Sequence, residues 1–448
     1  MASIFHDALP VFVEFTPVFS RPTFWRTQLL VVAAVLTTGQ RTIANLLRTL
    51  GVLVPGQAST YHRVLSQAHW SGLQVATLLL RFLLRHLGPT GRIRLVGDDT
   101  VDEHRGQKVY GKARHRDAVR SSKNYTAFRY GHKWVVLAVL VSFPFAQRPW
   151  ALPVLIALYR SPEEDRRRGR PHKTPAELMQ LLLRIVLRWF PQRQFVFAGD
   201  SGFGSHGMAS FAARQRGRLS LVSRFVADAN LYDLPPSSAP NRRGRPRQKG
   251  SKQPSPQAVV AGAKRQRLTV GWYGGGRRRL EVVSAVGQWY KAGEGLVAVR
   301  WVYVHDRTGT HRDDYLYSSD TQQTAQEIIE AYTGRWNIET TFQEVRAYLG
   351  LETTRGWKRE TVLRAAPCLF GLYTLVSLWY WQLPACAKAD WGVMWAGKKV
   401  MTFSDAITAV RRWLWSDWIF ATGGHDQAFA KLPNALQEVL LLALAPAA

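Results

Sequence analysis

The chain has 448 residues and carries 60 Lys and Arg against 31 Asp and Glu, a formal net charge of +29, with 46% hydrophobic residues and 17 tryptophans. So many core-forming side chains exclude a disordered basic tail, and the charge excess calls for a polyanionic partner, nucleic acid ahead of an anionic membrane surface. Two cysteines, Cys368 and Cys386, are too few for a disulfide framework or a cysteine-rich zinc site, and they fit a reducing cytoplasm.

The length predicts about three domains of roughly 150 residues. Residues 1–90 read as a helical DNA-binding region: TIANLLRTLG and STYHRVLSQ flank a VPGQ break, as two short helices around a turn would. The opening MASIFHDALPVFVEF lacks the basic and apolar pattern of a secretory signal. From Arg92 the pattern turns to strands, RIRLVGDD, KWVVLAVLVSF and WALPVLIALY. A helix follows, TPAELMQLLLRIVLRWF, with capping-box spacing from Thr174 to Glu177. QFVFAGDSGFGS then gives a buried strand ending in an acidic, glycine-rich turn, SHGMASFAARQRG a helix and RLSLVSRF another strand. Three strands, helix, strand, helix is the order of an α/β, ribonuclease H-like core, whose first part spans 91–225.

Residues 226–318 predict a β-rich insertion, with a basic loop, PSSAPNRRGRPRQKGSKQPSPQ, followed by two hairpins. The core resumes over 319–387, and 388–448 read as a C-terminal helical region. Within the resumed core, AAPCLFGLYTLVSLWYWQLPACA has membrane-spanning length without a charge. Pro367, Gly371, Gln382, Pro384 and the basic flanks predict a buried core helix there, with no membrane association.

Carboxylates mark the chemistry. RIRLVGDDT ends in Asp98 and Asp99, whose mutual repulsion a cation would relieve, and Asp200 repeats the arrangement after FVFAG. Asp102 and Glu103 read as a solvated loop. GDSGF resembles a serine-protease nucleophile string, but a strand-to-helix turn in a basic, disulfide-poor chain is the wrong setting; a GxSxG elbow fails at Phe203. Thr324 and Glu327 predict a capped helix, with Gly334 a point of interruption. On it Tyr332, Arg335, Glu339 and Arg346 fall within about 60° of one another, beside an apolar stripe of Ile338, Phe342, Val345 and Leu349. Arg preceding Glu by four is the weaker orientation for an intrahelical pair. Glu339 facing Asp98 and Asp200 around metal, with Arg335 and Arg346 on phosphates, accounts for all four positions.

These residues resemble the DDE transposases of bacterial insertion sequences, in particular the branch related to insertion sequences 4 and 701, marked by Tyr, two residues, Arg, three residues, Glu, six residues, Lys. Tyr332, Arg335 and Glu339 meet the spacing, and Arg346 replaces the Lys. RWNIE, LGLE, the DDT at 98–100 and DSGFG complete a set of landmarks over about 92–385. The resemblance implies a catalytic and metal-binding set of Asp98, Asp200 and Glu339. Thr100 fits the third place of the family's first-acid pattern, leaving Asp99 a neighbour. It also implies a β-domain in the insertion, where hairpin-forming relatives stack a flipped base on an aromatic; Trp272, Trp289 and Trp301 are the candidates.

The expected activity is metal-dependent cleavage at transposon ends and strand transfer, with two Mg²⁺, for which Mn²⁺ substitutes, and a homodimer on DNA that brings two ends together. Lys108, Lys112 and Arg114, in the basic tract after the first acid, RRRGRPHK at 166–173, and Arg242, Arg243 and Arg245 are expected phosphate contacts. The competing readings are a catalytically inactive transposase-derived DNA-binding protein, another ribonuclease H-like nuclease such as a resolvase, and a basic membrane protein.

Overall fold

A computed structural model describes residues 10–117, 120–122, 124–215, 217–236, 247–385, 388, 398, 400–420 and 424–446. Five helices come first: α1 (Pro10–Glu14), α2 (Arg21–Leu36), α3 (Ile43–Leu50), α4 (Ala58–Ser66) and α5 (Gly72–Leu87). Thr42 caps α3 and Ser71 caps α5, each accepting a backbone N–H from the first turn.

The chain then enters a mixed sheet through β1 (Ile93–Glu103), β2 (Ala113–Arg116), β3 (Phe128–Val141) and β4 (Trp150–Tyr159). After α6 (Pro162–Arg167) and α7 (Pro175–Trp189) come β5 (Phe195–Gly199), α8 (His206–Ala213) and β6 (Leu219–Arg224). The capping box of α7 forms as its spacing predicts. β3 pairs antiparallel with both β1 and β4, whereas β1, β5 and β6 run parallel. The order β4, β3, β1, β5, β6 is that of the ribonuclease H-like core. β3 is buried along most of its length, so it reads as an unbroken apolar run rather than an alternation.

β7 (Leu231–Tyr232), α9 (Pro256–Gly262), β8 (Gln266–Gly271), β9 (Arg277–Lys291), β10 (Gly295–His305) and β11 (Asp314–Ser318) follow. Two hairpins were the expectation; β9 also pairs with β10 along its length, so β8 to β11 form one meander. β11 lies antiparallel to β6, covering what would otherwise be an exposed sheet edge, and the insertion thereby continues the core sheet into 11 strands.

α10 (Ala325–Arg335), α11 (Asn337–Leu349) and α12 (Arg359–Gln382) return to the core. α12 carries the uncharged stretch, and it is packed inside: Phe370, Tyr373 and Val376 are buried, and Thr374 donates to the Pro153 carbonyl of β4 at 2.8 Å. Arg364 of α12 donates to the carbonyls of Leu65 and Ala68 at 3.2 and 2.8 Å, tying the end of α4 to the core. α13 (Phe403–Trp413), a π-helical turn over Leu414–Phe420, α14 (Asp426–Ala430) and α15 (Asn434–Leu444) complete a mixed α/β protein with helical regions at both ends.

Candidate active site

The parallel register of β1 and β5 pairs Gly97 with Gly199, and Asp98 and Asp200 are the next residues of their strands. Both acids therefore stand where the parallel pairing of β1 with β5 ends, Asp98 partway along β1 and Asp200 just past β5, on the side where open α/β sheets present their crevice. The glycines have a packing reason. A Cβ on Gly97 would lie 2.5 Å from Met179 Cε, and one on Gly199 would lie 2.7 Å from Phe203 Cβ. The acidic turn is built around Asp200 itself: its Oδ1 accepts the backbone N–H of Gly202 at 2.9 Å and of Phe203 at 3.3 Å. Ser223 of β6 donates to the Asp200 carbonyl at 2.7 Å, and Tyr317 of β11 donates to the Gly204 carbonyl at 2.9 Å. The strand that closes the insertion thus helps to fix the turn carrying the second acid.

Glu339 comes from the helix pair. The Thr324 and Glu327 capping box forms, and the predicted interruption falls at Trp336, two residues after Gly334. There the Asn337 side chain donates back to the Gly334 carbonyl at 2.8 Å, holding the tight turn. α11 is then anchored from its far side. Thr341 donates to the Ala151 carbonyl of β4 at 2.9 Å, and the half-buried Glu344 accepts from Arg148 at 3.1 Å and from the Tyr373 hydroxyl at 2.7 Å. Tyr332 and Arg335 end one helix, whereas Glu339 and Arg346 lie on the next.

Arg335 joins the acids. Its Nη1 donates to Asp98 Oδ2 and to Glu339 Oε1, both at 2.9 Å. The intrahelical pair does form, but the same nitrogen also reaches a carboxylate 237 residues earlier. Burial pushes the Asp98 carboxyl up to about 7; Arg335 opposes the shift and the nearby Asp200 charge adds to it. Asp99 projects from the other side of the strand to Lys133, 3.0 Å away; burial raises its pKa and Lys133 lowers it. Three carboxylates against one guanidinium leave an oxygen-rich, negatively charged crevice whose donors suit a hard divalent cation. The residues present therefore fit the expected Mg²⁺.

The remaining predicted residues divide. Tyr332 is buried beside the acids, its ring centroid 5.7 Å from the Arg335 guanidinium, and burial raises its pKa. Arg346 donates to Thr100 Oγ1, to the Val101 carbonyl at 3.0 Å and to Glu352 at 3.3 Å. Both arginines, expected on phosphates, bond protein oxygens here. Arg346 nevertheless keeps a partly exposed guanidinium beside β1. Trp301 is 1% exposed, which corrects its candidacy for base stacking: it lies on β10, the strand paired with β9 and β11, with its indole buried in the core. Trp289 is wedged among His206, Phe225 and Tyr317. Trp272 alone of the three lies next to the helix pair, edge-on to Tyr273, which in turn meets Trp336. Lys108 and Arg114 are exposed and Lys112 half-buried, and Arg114 covers the Phe128 ring at 3.5 Å. Arg242, Arg243 and Arg245 lie outside the described residues.

One expectation fails outright. Asp102 and Glu103 are not a solvated loop, because β1 continues through Glu103 against β3 after it has parted from β5. Asp102 is fully buried there, between His104 and His132. The D-x-H spacing, which puts both side chains on one face of a strand, was the available signal. Sequence reading also passed over Lys133, Ser223 and the Arg224–Asp314 pair, 2.8 Å apart, whose Arg224 lowers the Tyr332 pKa.

The sequence places this crevice in a known class: the chain belongs to the DDE superfamily endonuclease family, whose model matches residues 14–279, more than half its length and including Asp98 and Asp200. Residues 293–368, which include Glu339, match the family described as "Archaeal putative transposase ISC1217". The protein is thus a DDE transposase by family. Among solved structures, the piggyBac transposase synaptic complex with hairpin DNA aligns at 11% identity and a TM-score of 0.40, over 99% of this chain and 83% of that one, a likeness too loose to carry an inference. No curated protein matches.

Proposed function

We propose that the chain cuts DNA at the ends of its own mobile element and joins the freed 3′ ends to a target, as a cut-and-paste transposase of the branch related to insertion sequences 4 and 701. The observation that carries the proposal is the convergence of Asp98 and Asp200, from adjacent parallel strands, with Glu339, which Arg335 bonds to Asp98. Asp98, Asp200 and Glu339 are the groups that would hold two Mg²⁺ or Mn²⁺, whose chemistry is activation of water and stabilisation of the leaving 3′ oxygen. Arg335 holds Asp98 and Glu339 in place, and the Ser223 and Tyr317 hydrogen bonds hold the Asp200 turn. In-line phosphoryl transfer is governed by positioning and charge neutralisation, which this rigid placement serves. Lys108, Lys112 and Arg114 would track the phosphate backbone, Trp272 is the candidate for stacking on a displaced base, and two chains would act as a dimer on paired DNA ends in the bacterial cytoplasm.

The test is a supercoiled plasmid carrying the element ends, incubated with the chain and Mg²⁺ or Mn²⁺. Cleavage at the ends that is lost in Asp200→Asn supports the proposal. Binding without cleavage in either metal would leave a DNA-binding relative without activity, and preferential cutting of branched DNA would point to a resolvase.

A further inference from the structure

On the face of β1 that carries Asp98, every second residue continues the line: Thr100, then Asp102, then, just past the strand, His104. Asp102 lies about 13 Å along the strand from Asp98, four residues at about 3.3 Å each, so its surroundings form a separate place from the acidic crevice. Asp102 pairs in register with His132 of β3. At this point the backbones are pressed together, since a Cβ on Gly131 would fall 1.6 Å from the Asp102 carbonyl oxygen.

Asp102, His104 and His132 are 0%, 9% and 1% exposed, and one donor atom from each lies within 4.8 Å of the others. His104 Nε2 is 3.1 Å from Asp102 Oδ2, and His132 Nδ1 is 3.4 Å from Asp102 Oδ1. Asp102 Oδ1 already accepts the His132 backbone N–H at 3.0 Å. His132 Nε2 lies 2.9 Å from the Tyr110 carbonyl, which can only accept, so Nε2 carries a proton. The buried Nδ1 has no hydrogen-bond partner among the described groups and lies 3.4 Å from a carboxylate oxygen. A buried ring nitrogen without a hydrogen bond beside a buried carboxylate is costly, and a cation held between the two would satisfy both.

We infer that Asp102, His104 and His132 bind a divalent transition-metal ion, zinc by its chemistry, at a site separate from the acidic crevice. Two imidazoles and one carboxylate are borderline-soft ligands that favour Zn²⁺ over Mg²⁺. A tetrahedral ion with bonds of about 2.0–2.1 Å sets its ligand atoms about 3.3 Å apart, and the donor atoms here, all within 4.8 Å of one another, need only a small approach to reach that spacing. The Tyr110 carbonyl supplies the partner that a ligating histidine requires on its other nitrogen. His104 also borders a cleft of about 500 Å³, shared with Arg105, Lys108, Arg355 and Trp357, which gives an ion a way in and leaves a position for water. The ion would pin the end of β1 to β3 and, through Tyr110, both ends of the loop bearing Lys108.

The test uses the full chain, stripped with a chelator, dialysed against Zn²⁺ and measured for metal by mass spectrometry. About one zinc per chain is expected, retained in an Asp98→Asn, Asp200→Asn double variant and bound at least about tenfold more weakly in His104→Gln and His132→Gln. Since His132→Gln sits in the core, Co²⁺ uptake by the unaltered chain gives a second readout: visible bands of tetrahedral, nitrogen-ligated cobalt are expected. No zinc uptake, uptake abolished by the double variant, or undiminished binding in a folded His104→Gln overturns the inference. A charged His132 paired with Asp102 is then the simpler account.

Discussion

Replacing Asp98 with asparagine should stabilise the metal-free protein, and by more as the pH rises. Burial lifts the Asp98 carboxyl to about 7 from a reference of 3.8, against the pull of Arg335 and with help from Asp200. Between those two values the folded protein retains a proton that the unfolded chain has released, so stability falls as pH rises through the window. Linkage over that shift gives a penalty that grows by roughly 2–3 kcal/mol between pH 5 and pH 8. Local relaxation and water penetration reduce such figures, so a measured difference of about 1–3 kcal/mol is expected. The amide keeps the shape of the carboxyl and an oxygen to accept from Arg335, which still has Glu339. The assay is urea unfolding of both proteins in EDTA across that pH range. The advantage of Asp98→Asn should widen towards pH 8 and narrow when Mg²⁺ is added. An advantage flat to within about 0.5 kcal/mol would refute the placement of Asp98 as a buried carboxyl beside a second negative charge.

Gly97→Ala should lower the unfolding free energy by about 1–3 kcal/mol, because its Cβ would meet Met179 Cε at 2.5 Å and the Phe197 ring at 2.6 Å. An unchanged denaturation midpoint would contradict that packing. Ser223→Ala removes the 2.7 Å hydrogen bond to the Asp200 carbonyl, so a loss of about 1 kcal/mol in stability is expected together with slower plasmid cleavage at unchanged DNA affinity. Lys108→Ala and Arg114→Ala should each flatten the dependence of log K on log salt by about 0.9 if the residue touches phosphate, as a titration of binding against salt would reveal. An unaltered slope would remove that residue from the DNA track.

The kink at Trp336 shows where pattern reading stops. A capping box is a local device, closed between Thr324 and Glu327 within a single turn, and it forms where the sequence places it. Gly334 weakens the helix, but the position of the break follows from the Asn337 bond to the Gly334 carbonyl and from the docking of α11 on β4. The same division runs through the tryptophans. All three sit in strands or turns of similar composition, and only their tertiary surroundings separate the buried Trp301 from the half-buried Trp272, edge-on to Tyr273.

By itself the sequence determined the strands that lead into Asp98 and Asp200, the capped helices, the apolar helix near residue 370 and the order of the three acids. Each is encoded within a few residues, by side-chain periodicity or by a hydrogen bond that closes locally. Only the tertiary structure decided which of those groups meet. Arg335 could be paired with Glu339 from spacing, but its bond to Asp98 depends on a helix docked against a strand 237 residues away. Asp102 read as exposed because its D-x-H spacing is a weak local hint, while the pairing that makes β1 outrun β5 is with β3, elsewhere in the chain. That register buries the carboxylate opposite His132, and long-range pairing, not local preference, turned an expected loop into a cluster with the donor set of a metal site.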